Sequence, residues 1–153
     1  MLGEIQRRPG FLLRRAHQIS VALFEYHCKA LNLTPAQYGV LRVAKEVSPV
    51  DQATLSRFLG LDKVTILHVV RALQGRGLLS RTASPTDARK LDITLTPEGM
   101  ALLDQATPMA EHASRQILTP LTPEQRAEFL NLLDIICSDL EAVARAPLDR
   151  LPV

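Results

Sequence analysis

The sequence predicts a mainly α-helical fold with one two-stranded β-hairpin, in the order α, α, α, α, β, β, α, α. Three observations predict it. Apolar residues recur at three- and four-residue spacings along most of the chain. The stretches "LTPAQ" and "LTPEQ" have the pattern that starts a capped helix. Between Leu91 and Leu95, apolar and polar residues alternate, as in a half-buried strand.

The length and composition are typical of one globular domain, which we expect to span residues 1–153. Hydrophobic residues make up 46% of the chain and charged residues 22%. No apolar run approaches the roughly 18 residues that a membrane span needs, and the N-terminus lacks the pattern of a secretory signal. We therefore expect a cytoplasmic protein without a membrane partner. The two cysteines, Cys28 and Cys137, lack CxxC spacing, so we expect both to be reduced.

Charge is unevenly distributed along the chain. From Gln52 to Leu91 there are seven Lys/Arg and two Asp/Glu residues, whereas from Glu98 to Val153 there are four Lys/Arg and nine Asp/Glu. A polyanionic partner would therefore contact the basic middle of the chain. The alternative is that solvated charges cluster there by chance.

The first two helices are predicted to flank a short connection. The first runs from Phe11 to Ala30 and is apolar on much of its surface, which indicates contacts on more than one side. Thr34 is the expected N-cap of the second helix, and Gln37 completes a capping box with it. This second helix should end at about Glu46.

Two short helices joined by a glycine turn follow, which is the pattern of a helix-turn-helix. The first begins at Asp51 or Gln52 and ends at Leu59, Gly60 forms the turn, and Asp62 caps the second helix, which ends at about Gln74. In this motif the second helix lies in the major groove of DNA. Its core-facing residues should be Ile66, Val69, Val70 and Leu73.

The opposite side of this second helix carries side chains suited to DNA. Lysine and arginine neutralise phosphates, threonine and histidine form hydrogen bonds, and valine and leucine contact thymine methyl groups. An arginine on the preceding short helix could contact the DNA backbone or remain solvated. The residues expected to contact DNA from the two helices are Arg57, Lys63, Val64, Thr65, Leu67, His68 and Arg71.

A hairpin directly after the helix-turn-helix predicts a winged helix. Its strands should run from Leu78 to Arg81 and from Leu91 to Leu95, with a polar loop between them. We expect Leu91, Ile93 and Leu95 to anchor the hairpin to the core. Arg89 in the loop is suited to the negative potential of the minor groove, and Asp87 could hold it in position through a paired hydrogen bond.

Two helices should complete the chain. The first begins at Thr96-Pro97, and Pro108 should kink or break it. The last should run from about Pro123 to Ala144. Alternating three- and four-residue spacing predicts a seam that packs along another helix. The seam residues are Leu130, Leu133, Cys137, Leu140 and Ala144.

Four stretches of the sequence resemble MarR-type transcriptional regulators, and together they cover nearly the whole chain. They are "LNLTPAQYGVL", "LSRFLGLDKVTILHVVRALQGRGLLSR", "SPTDARKLDITLTPEG" with its Asp-x-Arg signature at Asp87 and Arg89, and "LTPEQRAEFLNLLDII". The resemblance implies a winged-helix homodimer in which residues 31–97 form the DNA-binding part and residues 9–30 and 98–146 the dimerisation helices. It also implies repression from a palindromic double-stranded DNA operator, with release by a small molecule.

The sequence departs from the family pattern at two places. The wing of the family often reads Asp-Arg-Arg, but the middle residue here is Ala88, and Lys90 is the candidate to replace the missing cation. At the start of the recognition helix, Val64-Thr65 and Leu67-His68 also differ from the family's usual residues. The operator sequence therefore does not follow from the resemblance.

The effector is expected to bind between the dimerisation helices and the winged helix. The candidate ligand-binding residues are Arg14, His17, Gln18 and Tyr38. The stretch "GFLLRRAHQ" resembles the first helix of family members that sense aromatic acids or their coenzyme A thioesters. The alternative is that Tyr38 belongs to the core and the other three are interface or surface groups.

Other functions fit the sequence less well. It contains no nucleotide-binding loop, HExxH or GxSxG motif, so we expect no enzyme and no cofactor. Around Cys28, only His27 and Lys29 could lower the thiol pKa, which disfavours a peroxide sensor, and the four histidines lack zinc-ligand spacing. The remaining alternatives are an activator independent of redox chemistry or metal, and a winged helix that contacts only proteins.

Overall fold

The predicted order of helices and strands is confirmed in a computed structural model, which describes residues 2–85 and 90–149. One short helix at the N-terminus was not expected, and two 3₁₀ turns interrupt the connections. The elements are α1 (Leu2–Ile5), α2 (Pro9–His27), α3 (Pro35–Glu46), α4 (Gln52–Leu59), α5 (Lys63–Gly75), β1 (Leu79–Ala83), β2 (Leu91–Leu95), α6 (Pro97–Gln116) and α7 (Pro123–Asp139), with 3₁₀ turns at Lys29–Leu31 and Glu141–Val143.

Both predicted capping boxes are present. At the start of α3, the Thr34 hydroxyl accepts a hydrogen bond from the Gln37 amide at 3.2 Å, and the Gln37 side chain accepts one from the Thr34 amide at 3.0 Å. Thr122 and Gln125 repeat the arrangement at the start of α7. These bonds satisfy N–H groups that the first turn of a helix leaves unpaired, which is why the sequence pattern located these starts correctly.

Two predicted helix ends are wrong. The helix predicted to reach Ala30 ends at His27, because the chain tightens into a 3₁₀ turn that Asn32 closes in the left-handed region at φ 49°. Asparagine tolerates this conformation better than most residues. The last helix ends at Asp139 rather than Ala144, where the chain turns back and the Glu141 carboxylate accepts a hydrogen bond from the Leu148 amide at 3.1 Å.

Pro108 does not break α6, which continues to Gln116 as one helix. Proline removes one backbone hydrogen bond from the helix interior. The nearby Thr107 hydroxyl donates to the Leu103 carbonyl at 2.8 Å, which is not the Asp104 carbonyl that an N–H at position 108 would have reached. Small buried side chains on α6, such as Ala106, allow close packing against α2. This packing outweighs the local preference of proline.

The two strands form an antiparallel hairpin in which Leu79 pairs with Leu95. The first strand starts one residue later and ends two residues later than expected. A bridge on the other side of β2 was not predicted. There, Val50 and Ile93 exchange backbone hydrogen bonds of 3.0 and 2.9 Å. This bridge ties the connection before α4 to the wing.

The hairpin is anchored to the core by fewer residues than expected. Ile93 is completely buried and Leu95 is half-buried, but Leu91 is 39% exposed. Leu91 lies at the wing-tip end of β2, where it borders Gln52 and Ala53 of α4 in an open depression and is not enclosed by the core. The predicted strand is therefore present, but its first residue, Leu91, does not anchor the hairpin to the core.

The core lies where α3 meets α4, α5, α6 and β2, and where α2 packs along α6. Its largest completely buried side chains are Leu41, Leu55, Ile66, Leu73, Ile93 and Leu103. Among the described residues, no helix combines the length and the apolar character that crossing a membrane requires.

Candidate nucleic-acid interface

Helices α4 and α5 form the expected helix-turn-helix. Gly60 adopts φ 60° and ψ 29° at the end of α4, a left-handed conformation that glycine permits without steric cost. The Ser56 hydroxyl donates a hydrogen bond to the Leu61 carbonyl. This bond connects α4 to the residue that follows the Gly60 turn, so a contact within the motif restrains the angle between the two helices.

Asp62 caps the recognition helix α5. Its carboxylate accepts hydrogen bonds from the Thr65 hydroxyl at 2.7 Å and the Thr65 amide at 2.9 Å. Both bonds stabilise the ionised form and lower the pKa of Asp62 below its ordinary value. The proton of the Thr65 hydroxyl is therefore already used, and its oxygen can act toward DNA only as an acceptor, for instance from a base amino group.

The two faces of α5 follow the prediction except at two positions. Ile66, Val70 and Leu73 are completely buried and Val69 is half-buried. The residues expected outside are Lys63, Val64, Thr65, Leu67, His68 and Arg71; all are exposed except Thr65 and Leu67, which are half-buried. Leu67 precedes buried Val70 by three residues, so it lies at the border of the apolar stripe and presents only part of its side chain to solvent.

Arg57 on α4 faces solvent but already has an anionic partner. Its Nε atom donates to an Asp149 carboxylate oxygen at 2.8 Å, and an Nη atom donates to the Thr54 hydroxyl at 3.3 Å. The guanidinium is thus held at the surface of the helix-turn-helix by two side chains. A phosphate at this position would compete with the Asp149 carboxylate.

The tip of the wing, including Asp87, Ala88 and Arg89, lies outside the described residues. At the end of the described hairpin, the Ser84 amide donates to the Lys90 carbonyl at 3.0 Å. The Lys90 ammonium lies 3.4 Å from the Asp51 carboxylate. The position of Lys90 therefore links the wing to the start of α4.

Asp51 has two functions in the structure that the sequence suggested only in part. It caps α4 by accepting a hydrogen bond from the Thr54 amide at 2.7 Å, and it pairs with Lys90. The bonds from Thr54 lower the pKa of its carboxyl below the ordinary value, and Lys90 lowers it further against the effect of partial burial. The sequence predicted that α4 begins at Asp51 or Gln52, so a cap at Asp51 was one of two expected starts. The pairing of Asp51 with Lys90 was not predicted.

The four candidate effector residues do not converge on one site. Arg14 is exposed and its guanidinium carbon lies 5.0 Å from the centre of the Phe11 ring. Gln18 accepts a hydrogen bond from Arg15 at 3.4 Å. Tyr38 is half-buried and its ring packs 5.7 Å from that of Phe24, next to the core.

His17 is the candidate that lines a cavity. An apolar groove of about 620 Å³ lies between α2, α6 and α7, a size within the range of small-molecule sites. Its other lining residues are Pro9, Leu12, Leu13, Ala16, Ser20, Ser114, Ile117, Leu118, Phe129, Leu130, Leu133 and Ile136. His17 therefore contributes an imidazole to a groove wall whose other lining residues are apolar or weakly polar.

The cysteines offer little support for redox chemistry. Cys28 is completely buried, and burial raises the pKa of its thiol, which disfavours the reactive thiolate. Cys137 is exposed on α7, and neither cysteine forms a disulfide. Within residues 2–85 and 90–149, no three His, Cys, Asp or Glu side chains are grouped so that they could hold a metal ion.

The sequence did not indicate the residues that follow α7. Arg145, Ala146 and Pro147 lie beside Lys63 and Val64 at the start of the recognition helix. A contact between positions 57 and 149 spans 92 residues. No periodic pattern can indicate such a contact, and a proline beyond the predicted helix end was the available signal that the chain changes direction.

Comparison with known proteins connects this geometry to a family. The model of the MarR family matches residues 33–91, which extend from the residue before Thr34 to the first residue of β2. The HTH-type transcriptional repressor NicR of Pseudomonas putida is 32% identical over 130 residues, which cover 85% of this chain and 82% of NicR.

Two solved structures are similar over most of the chain. One concerns the regulation of DNA binding of Bordetella bronchiseptica BpsR by 6-hydroxynicotinic acid; it is 32% identical with a TM-score of 0.81, and the match covers 86% of this chain and 94% of that one. The other is the transcriptional repressor CouR bound to a 23-mer DNA duplex, which is 30% identical with a TM-score of 0.80 over 90% of this chain and 97% of that one.

Proposed function

The chain belongs to the MarR family and is a DNA-binding transcriptional regulator, and we propose that it represses transcription from an inverted-repeat operator until an aromatic acid or its coenzyme A thioester releases it. The observation that carries the proposal is the exposed N-terminal half of α5. Lys63, Val64 and His68 are exposed there, on a helix whose opposite side is buried in the core. Such a helix is held rigidly while it presents side chains to a groove.

We assign the DNA contacts by the chemistry of each side chain. Lys63, Arg57 and Arg71 contact phosphates, and His68 and Thr65 contact base edges or phosphates. Val64, 63% exposed, contacts a thymine methyl group, with Leu67 beside it. From the wing, Arg89 enters the minor groove with Asp87 bracing it, and Lys90 supports the wing from its base. DNA-binding winged helices of this kind act on chromosomal DNA, so we place the protein in the cytoplasm.

The regulator acts as a homodimer. Helix α7 has no buried residue, although much of its surface is apolar. Leu132 and Ile135 are 51% and 47% exposed, and neither lines the groove against α2 and α6. A cluster of exposed apolar side chains is typical of a surface that a second protein covers. A second copy that covers it in a two-fold arrangement would place two recognition helices on an inverted repeat.

The effector carries a carboxylate or thioester beside an apolar ring. The groove beside His17 accepts the ring, and the imidazole donates a hydrogen bond to the polar group. Arg14 lies three residues earlier on the same helix and supplies the cation for a carboxylate. Gln18 is a further polar candidate on this helix, whereas the packing of Tyr38 against Phe24 favours a role in the core. BpsR, which responds to 6-hydroxynicotinic acid, supports the ligand class by similarity.

Footprinting on the intergenic DNA upstream of the protein's own gene tests this function. We expect protection of an inverted repeat whose half-sites lie about one helical turn, or roughly 10 base pairs, apart. Aromatic acids and their coenzyme A thioesters are then added one at a time, and the compound that is the effector should abolish the protection. In Arg14→Ala, release should require more ligand while protection is retained, whereas Arg7→Ala serves as a control of equal charge just before the same helix. Release that is equal in both variants would remove Arg14 from the effector site.

A further inference from the structure

The residues after α7 form a segment, Leu140–Asp149, that returns to the helix-turn-helix. Its end is fixed to Arg57 at two points: the Asp149 amide donates to the Arg57 carbonyl at 2.9 Å, and the Arg57 Nε atom donates to the Asp149 carboxylate at 2.8 Å. Main chain and side chain thus engage the same residue. This arrangement fixes the carboxylate on the DNA-binding surface more firmly than a lone surface ion pair would.

Apolar contacts support the same placement. Leu148 is half-buried beside Gly60, the turn residue of the helix-turn-helix; a Cβ atom on Gly60 would lie 3.5 Å from the Leu148 Cδ1 atom. The Leu148 amide also donates to the Glu141 carboxylate. The C-terminal segment is therefore stabilised by a hydrogen bond within the segment and by an apolar contact with the turn between α4 and α5.

The segment also borders the start of the recognition helix. Arg145, Ala146 and Pro147 line a depression of about 520 Å³ together with Arg57, Lys63 and Val64, while Ala53, Ser56 and Asp62 complete its wall. In helix-turn-helix complexes, the DNA backbone approaches the first turn of the recognition helix and the cations near it. A carboxylate placed there repels phosphates and occupies one of the cations that would bind them.

We propose that the C-terminal segment is an intramolecular competitor of DNA, in which the Asp149 carboxylate occupies the Arg57 guanidinium that a DNA phosphate would otherwise bind. This inference rests on the proposed function. Before Arg57 contacts DNA, its bond to Asp149 must break, so the measured affinity for DNA is lower than the interface alone would give. The effect is modest because both side chains are about half exposed, and exposed ion pairs contribute little.

The test is a fluorescence anisotropy titration of labelled upstream DNA with the full-length protein. Asp149→Asn and Asp149→Ala should bind about two- to fivefold more tightly than the unchanged protein, the range that corresponds to one exposed ion pair. Glu4→Gln removes one carboxylate charge on the exposed surface of α1, and Glu4 forms no ion pair within residues 2–85 and 90–149. It should leave the affinity unchanged.

The Arg57→Ala background separates competition from a general effect of charge. Titrations at about 50 mM salt keep weakened variants measurable. In this background, adding Asp149→Asn should give no gain in affinity, because the cation for which the carboxylate competes is absent. A gain of equal size in both backgrounds would overturn the proposal.

The remaining outcomes are also decisive. If Asp149→Asn and Glu4→Gln bind equally, or if Asp149→Asn binds more weakly, the segment does not compete with DNA and the inference is wrong. In either case the unchanged protein would still bind DNA, so the proposed function would stand. Failure of the unchanged protein to bind upstream DNA would overturn both.

Discussion

The Lys90 ammonium lies 3.4 Å from the carboxylate of Asp51, the residue that caps α4. Lys90 immediately precedes β2 of the wing, and Asp51 begins the helix-turn-helix. One carboxylate thus connects the two parts of the structure that we propose to contact DNA together. Next to it, the backbone bridge between Val50 and Ile93 makes a second connection. The wing is therefore positioned against α4 by these two contacts, in addition to its chain connections to α5 and α6.

Replacing Asp51 should reveal how much its cap contributes. Asp51→Ala removes the acceptor for the Thr54 amide and should lower the free energy of unfolding by about 1 kcal/mol, the usual value for an N-cap. Urea denaturation measures the change. Asp51→Asn keeps a capping oxygen but loses the charge that faces Lys90, so it should cost only a few tenths of a kcal/mol. Equal losses in the two variants would mean that the ion pair, rather than the cap, is the stabilising contact.

Acid should weaken the two caps of the helix-turn-helix. The folded-state pKa values of Asp51 and Asp62 are depressed, mainly by hydrogen bonds from Thr54 and Thr65 respectively. Their contribution to stability is therefore complete above the ordinary aspartate pKa of 3.8 and is lost as the pH falls through the lower folded values. Unfolding measured from pH 6 to pH 2 should show a shallower acid decline in the Asp51→Asn/Asp62→Asn double variant. An unchanged slope would contradict the assignment.

Gly99 permits a close approach between α6 and the start of β1. A Cβ atom added to Gly99 would lie 2.1 Å from the Leu78 carbonyl oxygen. Gly99→Ala should therefore force a backbone shift and lower the free energy of unfolding by about 1–3 kcal/mol, as overpacking does. Gly10→Ala is the control, since a Cβ there would contact nothing within 4 Å. If both variants unfold at the same urea concentration, the close approach does not constrain the fold.

Arg89 should matter more for DNA affinity than its neighbour Lys90. A well-placed groove contact contributes about 1–3 kcal/mol, so Arg89→Ala should weaken operator binding by roughly 5- to 150-fold. Lys90→Ala should weaken it less, because its ammonium faces Asp51. Anisotropy titrations at one salt concentration compare the two variants. Arg89→Ala binding as tightly as the unchanged protein would remove Arg89 from the interface.

A charge on the apolar face of α7 should disrupt the homodimer. Ile135→Glu places a carboxylate on a surface that we expect the second copy to bury, and an unpaired charge there costs several kcal/mol. Sedimentation at micromolar concentration should then show a monomer. Ala127→Glu adds the same charge on the same helix, in the polar stripe that contains Asp134 and away from Leu132, and should remain dimeric. A dimeric Ile135→Glu variant would place the interface elsewhere.

Local patterns predicted most of the fold because the features involved are themselves local. The capping boxes at Thr34 and Thr122, the glycine turn at Gly60 and the buried stripe of α5 depend on residues within a few positions of each other. The resemblance to MarR-type regulators, which rested on such stretches, is confirmed. Of the kink or break expected at Pro108, the break does not occur, and the end of α7 was misplaced, because packing with distant residues decides the conformation there.

The candidate site was predictable in its residue types but not in its ion pairs. The exposed residues of α5 followed from helical periodicity, and only the half-burial of Thr65 and Leu67 was not expected. The partners of Lys90 and Arg57 are Asp51 and Asp149, and neither pairing has a signal in sequence spacing. For the effector, the periodicity of α2 placed Arg14 and His17 near each other, but the groove exists only where α6 and α7 return to that helix.

The most direct test is the affinity of the protein for its own upstream intergenic DNA compared with a scrambled duplex of the same length and composition. Fluorescence anisotropy measures both at several salt concentrations. We predict binding to the upstream fragment that is about a thousandfold tighter or more, a typical ratio for a specific regulator, and a steep fall with salt. Equal affinity for the two duplexes would contradict specific regulation by this winged helix.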